Sequence, residues 1–546
     1  MKTNKPFLFA LIVLTSLSVV RAQMTHQHDP SEKLGQVNFP VSCSAPAQKQ
    51  FNDALALLHS FQYAEAEKAF SAISVTDPNC AMCYWGIAMS NYHPLWVPPN
   101  QAELTKGAAA VERAQALNAR TERERDYIAA LGSFYKDADK IDHRTRARAY
   151  EQAMKQVYLR YPNDHEAAIF YALALNERAL VVDEKDYVEN KKTAGEILNK
   201  ILPKEPNHPG VIHYLIHSYD VPELAYLALA AARSYAKIAP SSSHAVHMPS
   251  HIFTRLGLWQ ESIQSNIDSA AIAKKKVAET NPGWASQYQL HALDYLVYAY
   301  LQGAQDQKAK GVLDEASALS QVDQEVFQAA YPWSAIPARY VLERHRWAEA
   351  ATLTLHPTNF PWDRFRYAEA NLYFARAVGA ARSGNTAAAR PEIERLAAIQ
   401  KTLSDIKIGY DWATQVEIQR KAAAAWLARA EGRNDEALQL MRASADLEDT
   451  TEKHPVTPGA ILPAREMLGD LMDELSQSAQ ALKEYQAVLQ DSPNRFNSLY
   501  GAARSAELSG DRKKARAYYE KLAALCDQSD GSRPELQKAK IYLAKR

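Results

Sequence analysis

Apolar residues recur three and four positions apart over most of residues 48–527, and prolines or glycines interrupt the pattern at short intervals. The run FNDALALLHSFQYAEAEKAFSAISVTDP, which ends at Pro78, shows two such stretches separated by a turn. This spacing is typical of amphipathic helices that each bury one face. Later stretches of the same kind end at Pro162, Pro206 and Pro240. The pattern therefore predicts an all-α chain of successive helical hairpins.

Several residues recur at an interval of 34 positions, which is the period of the tetratricopeptide (TPR) repeat. Ala481 and Ala515 are one such pair. Ala66, Phe70 and Trp85 also match the family's pattern. The chain thus resembles TPR proteins over most of residues 48–527. The resemblance implies a right-handed α-solenoid of about eleven or twelve hairpins, with a concave groove in which a protein or peptide ligand binds.

The strength of the repeat pattern divides the chain into five segments. We expect a signal peptide at 1–22, a polar extension at 23–46, a TPR-like solenoid with a histidine-rich groove at 47–280, degenerate helical repeats at 285–448, and a C-terminal TPR pair with a tail at 460–546. Two irregular stretches, 280–284 and 449–463, are the expected breaks between the repeats, because neither continues the helical pattern.

The N-terminus has the features of an export signal. Lys2 and Lys5 precede an apolar run at residues 7–20, and small residues around Ala22 suit cleavage. The run of ~14 residues is shorter than the ~20 that a membrane-spanning helix needs. We therefore expect an exported protein, periplasmic or secreted, that does not span a membrane.

Export makes disulfide bonds possible. The chain has four cysteines, Cys43, Cys80, Cys83 and Cys526. Cys43 lies just before the first predicted helix and Cys80 just after the second, and these two ends are adjacent in a helical hairpin. We predict a Cys43–Cys80 bridge in preference to Cys80–Cys83, with Cys83 and Cys526 left as thiols.

Composition and motifs exclude several classes of function. The formal net charge is zero and the pI is about 7.3, so nothing indicates a nucleic-acid partner. His213 and His217 are four residues apart but lack the glutamate of the zinc-protease motif. A phosphate loop and a nucleophile elbow are also missing from the sequence. These observations favour a binding protein over an enzyme.

The stretch from His208 to Trp259 holds six of the 16 histidines. The histidines at positions 213 and 217 are followed by two more at the same spacing 34 positions later, at 247 and 251. Residues four apart share one face of a helix. We predict a groove site and, within it, a set of metal ligands. The groove residues are His213, His217, Asp220, His244, His247, His251 and Arg255, and the metal ligands are His213, His217, His247 and His251.

Neutral imidazoles suit zinc or copper. Two alternatives stay open for the same histidines, namely recognition of a polar or anionic ligand and simple packing. Pro249 affects where these histidines lie, because proline removes a helical hydrogen bond. The helix either kinks at HMPSH or starts near Met248.

At a finer level the chain resembles a group of exported bacterial TPR proteins of no established activity. The residues behind this resemblance are CAMCYWG at Cys80, HPVTPG at His454 and PNRFNSLYGAARSAE at Pro493. The leading hypothesis is an exported TPR scaffold that binds a protein, peptide or other ligand in its groove, with a histidine-bound metal as an added feature. The alternative is a metal-dependent enzyme that uses the histidines at 213–251.

Overall fold

Helices make up nearly all the regular structure of the chain. The computed structural model describes residues 33–179, 184–406, 410–531 and 533–545. The predicted signal peptide, 1–22, and residues 23–32 of the predicted extension lie outside these ranges. In chain order the helices are α1 (Ala45–His59), α2 (Tyr63–Thr76), α3 (Ala81–Tyr92), α4 (Gln101–Ala116), α5 (Glu122–Tyr135), α6 (His143–Arg160), α7 (His165–Ala179), α8 (Glu184–Ile201), α9 (Pro209–Tyr219), α10 (Leu229–Ile238), α11 (Ser243–His247), α12 (Pro249–Arg255), α13 (Trp259–Thr280), α14 (Gln287–Gln302), α15 (Asp306–Ala318), α16 (Phe327–Leu342), α17 (Trp347–Ala350), α18 (Arg366–Arg382), α19 (Thr386–Ser404), α20 (Trp412–Ala430), α21 (Asn434–Glu448), α22 (Ala464–Glu474), α23 (Ser478–Asp491), α24 (Phe496–Leu508), α25 (Arg512–Leu525) and α26 (Pro534–Ala544).

Consecutive helices pack as hairpins from α1–α2 through α24–α25, and α26 covers the last of them. Because α11 and α12 together form the first arm of one hairpin, the described residues contain twelve. First arms of neighbouring hairpins also pack on one another, as α14 does on α16. Small residues lie where arms cross, and Ala66, Ala481 and Ala515 are completely buried. This nearest-neighbour stacking confirms the predicted all-α, TPR-like solenoid.

The row of hairpins folds back on itself. Helix α1 contacts α9, and α24 contacts α14. At the second of these contacts the Trp259 indole donates to the Asn494 carbonyl at 2.9 Å. Gly257 lies beside it with a φ of 65°, and a Cβ there would be 2.2 Å from the Pro493 carbonyl oxygen. These contacts join hairpins that are distant in sequence and make the described chain compact.

A buried arginine fixes the C-terminal hairpins to the middle of the chain. Arg495 is completely buried and binds both oxygens of Glu466, at 2.8 and 2.7 Å. The same guanidinium lies 2.8 Å from Glu343, at the end of α16. A buried charge held by two carboxylates tolerates little displacement, since each lost partner leaves an uncompensated charge.

The segment 449–463, which we name the interior loop, packs inside the fold. Arg339 donates to the carbonyl oxygens of Gly459 and Ala460 at 2.7 and 2.6 Å. Tyr295 on α14 donates its hydroxyl to the Thr457 carbonyl at 3.0 Å. This stretch, expected as a break between repeats, contains no helix and is held against α14 and α16 by these contacts.

The N-terminal segment before α1 is extended and packs against the first hairpins. Phe39 is completely buried and its ring contacts those of Phe51, Trp85 and Tyr127. None of the helices in the described ranges combines the length and apolar character needed to cross a bilayer.

The disulfide prediction is confirmed. Cys43 and Cys80 are bonded, with their Cα atoms 4.8 Å apart, and they join the segment before α1 to the residue that precedes α3. Cys83 and Cys526 are free and buried, as expected.

Candidate metal centre

Six buried histidines from four consecutive first-arm helices meet in the interior. They form two groups of three, each with one ligand atom per residue and all three atoms within 4.8 Å of one another. The first triad is His213 and His217 of α9 with His244 of α11. The second triad is His247 of α11 and His251 of α12 with His291 of α14. All six side chains are at most 9% exposed.

The first triad is centred on His213. Its Nε2 lies 3.1 Å from Nε2 of His244 and 3.2 Å from Nε2 of His217. Its Nδ1 lies 2.6 Å from the backbone carbonyl of His59, at the end of α1. A carbonyl oxygen only accepts, so Nδ1 of His213 carries the proton and its Nε2 has a free lone pair in the neutral ring.

The second triad is held from two sides. His251 donates Nδ1–H to the Asp220 carboxylate at 2.9 Å, and His247 donates Nδ1–H to the Asn266 side-chain oxygen at 2.7 Å. The Asn266 amide is itself oriented, because its nitrogen donates to the Ser262 carbonyl at 2.7 Å. Both histidines therefore carry their proton on Nδ1.

The consequence is an unfavourable contact between two nitrogen atoms. Nε2 of His247 and Nε2 of His251 lie only 3.0 Å apart, and in the neutral rings each presents a lone pair to the other. No hydrogen bond is possible between them unless one ring gains a second proton. Burial opposes that protonation by lowering the pKa of each ring, well below its usual value for His247.

The spacing of these nitrogens suits a shared ion. Two nitrogen ligands that each lie ~2.0 Å from one ion are ~2.8 Å apart at a right angle and ~3.3 Å apart at the tetrahedral angle. Three of these separations, 3.0–3.2 Å between Nε2 atoms, fall between these values, and all ligand atoms of a triad lie within 4.8 Å of one another. Donation of the second ring N–H to a carboxylate or carbonyl is also the usual support of a metal-bound histidine.

Desolvation keeps all six imidazoles neutral. Burial lowers the pKa of His213 to about 3. It also lowers the pKa of the other five, and for most of them a neighbouring imidazole adds to the effect: His217, His244, His247, His251 and His291. A neutral imidazole is the form that binds a metal ion.

Pro249 breaks the helix between the two donors of the second triad. The helix stops at His247, Met248 forms a one-residue turn, and α12 starts at Pro249. The interruption follows from the missing proline N–H. His247 and His251 nevertheless remain four residues apart on one side, so the kink joins them rather than separating them.

Aromatic side chains enclose both triads. The ring of Phe61, a residue with a φ of 56°, lies 4.3 Å from that of His213 and also contacts His217 and His244. Tyr295 contacts the rings of His247 and His251 at 4.8 and 4.9 Å. These contacts exclude water and fix the orientation of the imidazoles.

A charged cluster lies against the second triad. Asp220 binds Arg255 at 2.8 Å and lies 3.4 Å from the Lys453 ammonium group of the interior loop. Arg255 also binds Glu452 of that loop at 2.5 Å. The nearby cations hold the pKa of Asp220 well below its usual value even though burial opposes this, so the carboxylate is ionised and acts only as an acceptor.

A third group, His59 with Glu166 and His208, has a different character. Glu166 accepts from Nε2 of His59 at 3.1 Å and from Nε2 of His208 at 2.8 Å. The remaining nitrogens accept from the Tyr214 hydroxyl at 2.9 Å and from the Val211 amide at 3.3 Å. Every ring nitrogen therefore has a compatible partner, so this group is a satisfied hydrogen-bond network.

The structure groups the predicted residues differently from the sequence. His213 and His217 are joined by His244 rather than by His247 and His251, which instead meet His291. Six of the seven predicted groove residues are buried and Arg255 is partly buried. Phe61 packs against His213, and Glu452 of the interior loop binds Arg255. His291 was not among the residues predicted from the sequence, although it lies on the first arm of the next hairpin.

Comparison with known proteins adds little to this description. No family model matches the chain, and no curated protein matches it. Among solved structures the chain is similar to the crystal structure of the P58(IPK) TPR domain, with 12% sequence identity and a TM-score of 0.21. The match covers 92% of this chain and 100% of that one. The solenoid is evident from the stacked hairpins of the chain itself.

Proposed function

We propose that the protein binds transition-metal ions, zinc or copper, one at each histidine triad inside the TPR-like solenoid. The observation that carries this proposal is the 3.0 Å contact between Nε2 of His247 and Nε2 of His251. Both lone pairs are fixed there by Asp220 and Asn266, and burial disfavours a proton between them. A cation bound to both nitrogens would accept both lone pairs and remove the repulsion between them.

The chemistry of the donors supports zinc or copper. All six donors are neutral imidazole nitrogens, which are intermediate ligands suited to these metals and poorly suited to calcium or magnesium. In the first triad, His213 is oriented in a similar way, because its Nδ1–H donates to a backbone carbonyl. The Cys43–Cys80 disulfide favours an oxidising compartment, in line with the export expected from the N-terminus.

A metal-dependent enzyme is the second candidate. Three protein ligands leave a coordination position open, as in catalytic rather than structural zinc sites.

The enclosed position of the histidines argues against their contacting a protein or peptide ligand directly. A partner of that kind, expected from the TPR resemblance, would bind elsewhere on the surface.

The test is the metal content of the purified protein, measured by elemental analysis after loading with zinc or copper and removal of free ions. We expect about two equivalents per chain, since a site with preformed ligands is normally filled near stoichiometry. His291→Ala is expected to remove one equivalent, and His213→Ala combined with His217→Ala to remove the other.

The matched control is His165→Ala. His165 is partly buried and pairs with Glu205 at 2.7 Å, outside both triads. Its replacement should leave the metal content unchanged. Less than ~0.2 equivalents in the wild type would contradict the proposal, and so would an unchanged metal content in the triad variants.

A further inference from the structure

We propose that a small cavity in the C-terminal half of the chain binds the ammonium group of an alkylamine. The cavity lies between the first-arm helices α16, α18 and α20 and the interior loop, and we name it the α20 cavity. The residues that carry the argument are among those that line it: Tyr331, Tyr367, Asn371, Trp412, Gln419 and Glu448. The inference is independent of the proposed metal binding, because none of the six triad histidines is among the described residues that line the cavity.

The α20 cavity contains one negative charge. Among the described residues that line it, Glu448 at the end of α21 is the only charged one. One of its carboxylate oxygens accepts from the Ala464 amide at 2.6 Å. Arg465 and Arg495 act on Glu448 only from a distance, since each is bound to other carboxylates. A carboxylate in a largely enclosed position without a cation is costly, and a bound cation would offset its charge.

A chain of hydrogen bonds leaves an acceptor for the ligand. The Ser334 hydroxyl donates to the Tyr331 carbonyl at 2.9 Å and accepts from Nδ2 of Asn371 at 3.2 Å. Oδ1 of Asn371 then accepts from Nε2 of Gln419 at 2.9 Å. Oε1 of Gln419 is buried and has no hydrogen-bond partner in the described part of the chain. Since buried polar atoms are normally paired, this oxygen calls for a donor.

Gln415, which also lines the cavity, is oriented in the same way. The Thr451 hydroxyl donates to the Glu448 carbonyl at 2.9 Å and accepts from Nε2 of Gln415 at 2.9 Å. The amide nitrogens therefore donate within the protein, and the side-chain oxygens of Gln415 and Gln419 remain as acceptors. The hydroxyls of Tyr331 and Tyr367 can accept as well as donate. A ligand that fits these groups is a cation with several N–H donors, and an alkylammonium group has three.

The size of the cavity fits such a group. Its free space is about 40 Å³, close to the ~30 Å³ that one water molecule occupies in the liquid. An ammonium group with a short alkyl stem is of this size. Trp412 and Tyr367 are only partly buried, so a longer alkyl chain can extend to solvent beside their rings.

The walls favour an alkylammonium group over a metal ion. Most of the other lining side chains are apolar: Phe374, Val416, Ile418, Ile461, Leu462 and Met467. A calcium ion takes about six to eight oxygen ligands, which a wall of this composition does not supply. Apolar side chains suit the carbon atoms next to the nitrogen of an amine.

The experiment is a titration of the full-length protein with ethylammonium at pH 8, followed by saturation-transfer NMR of the ethyl protons. Burial raises the pKa of Glu448 to about 7, so the carboxyl is mostly ionised at pH 8. We expect saturable binding of ethylammonium and none of ethanol, its uncharged analogue. Absence of saturable binding would overturn the proposal, and so would equal binding of ethanol or displacement by an equal concentration of potassium.

Glu448→Gln is the matched variant, because it removes the charge and keeps an acceptor for the Ala464 amide. We expect the affinity for ethylammonium to fall at least ~10-fold, since hydrogen bonds to charged groups are among the stronger ones. The control is Glu417→Gln, because Glu417 on α20 pairs with Arg420 and Lys421 and does not line the cavity. Equal affinities of the wild type and Glu448→Gln would contradict the proposal. If Glu448→Gln does not fold, the comparison of ethylammonium with ethanol and potassium in the wild type decides.

The amine could be a free molecule or the side chain of a lysine in a peptide. Titration with Nα-acetyl-lysine amide distinguishes the two, because tighter binding of this compound than of ethylammonium would identify the lysine side chain. Weaker binding would identify a free amine. The metal content of Glu448→Gln should equal that of the wild type, so failure of this proposal leaves the metal-binding proposal untouched.

Discussion

Nε2 of His247 lies 3.0 Å from Nε2 of His251, although Pro249 interrupts the helix between them. Neither nitrogen carries a proton in the neutral rings, because each Nδ1 donates to an acceptor fixed by other contacts. A packing role alone would not require this contact, since a rotated ring would avoid it. The relation is the main reason to treat the histidines as ligands.

The amide of Asn266 is expected to control the second triad without contacting the ion. In Asn266→Ala, His247 loses the acceptor that fixes its ring, and such supporting partners typically contribute 10- to 100-fold to metal affinity. We therefore expect a loss of that size at one of the two sites, measured by competition with a chromophoric chelator. Gln264→Ala changes an exposed neighbour on α13 and should have no effect. Equal affinities for wild type and Asn266→Ala would contradict this role.

Asp220 is expected to matter for stability as well as for the site. Replacing it with asparagine removes the charge that offsets Arg255 and Lys453, and breaking a buried ion pair costs about 3–5 kcal/mol. The free energy of unfolding of the metal-free protein, measured with urea, should fall by that amount. Asp268→Asn, on the exposed side of α13, is the control. A loss below about 1 kcal/mol would show that the charge cluster is not important for stability.

Acid should destabilise the metal-free protein below the usual histidine pKa. In the unfolded chain the six histidines titrate near pH 6.5, whereas in the fold their pKa values are lower, about 3 for His213. Between these values the unfolded chain binds more protons, so the free energy of unfolding decreases as the pH falls. Each histidine contributes about 1.4 kcal/mol per pH unit in this range.

Buried carboxyls act in the opposite direction. Burial raises the pKa of Glu448 to about 7 and also raises the pKa of Asp294, Glu343 and Asp470. Each of these carboxyls binds a proton more readily in the fold than in the unfolded chain, so it adds stability as the pH falls. His454, whose pKa burial lowers to about 3, adds to the effect of the six histidines, and we expect the histidines to outweigh the carboxyls. Urea unfolding at pH 7.5, 6.5 and 5.5 measures the net effect. A free energy of unfolding that stays constant or rises over this range would contradict the burial of neutral histidines.

Thiol labelling tests the cysteine assignments. Burial raises the pKa of Cys83 and of Cys526 to about 12, so neither is a reactive thiolate near neutral pH. We expect no rapid labelling of the native protein and two labelled thiols after unfolding without reductant. Four labelled thiols under those conditions would show that Cys43 and Cys80 are not bonded.

Local patterns predicted the parts of the fold that depend on near neighbours. Helical periodicity identified the hairpins, the positions of Cys43 and Cys80 identified the disulfide, and Pro249 was recognised as a break. Each inference uses residues that are close in sequence or joined by one turn, so it needs no knowledge of how the solenoid closes.

The triads depend on longer connections. His291 follows His251 by 40 residues rather than 34, because the intervening α13 is 22 residues long, and the strict period therefore missed it. The position of the interior loop rests on contacts such as Arg255–Glu452, which are 197 residues apart. No local pattern encodes such a pairing, and the enclosure of the histidines could not be inferred before the fold was known.

The most direct test is anomalous X-ray scattering from crystals of the copper-loaded protein, with data collected on both sides of the copper absorption edge. We expect two anomalous peaks in the interior, each ~2.0 Å from the ligand nitrogens of one triad. Crystals of His291→Ala should retain the peak at His213, His217 and His244 only. Crystals of the copper-loaded protein that show no peak at either triad, or that show copper only on the surface, would contradict the central claim.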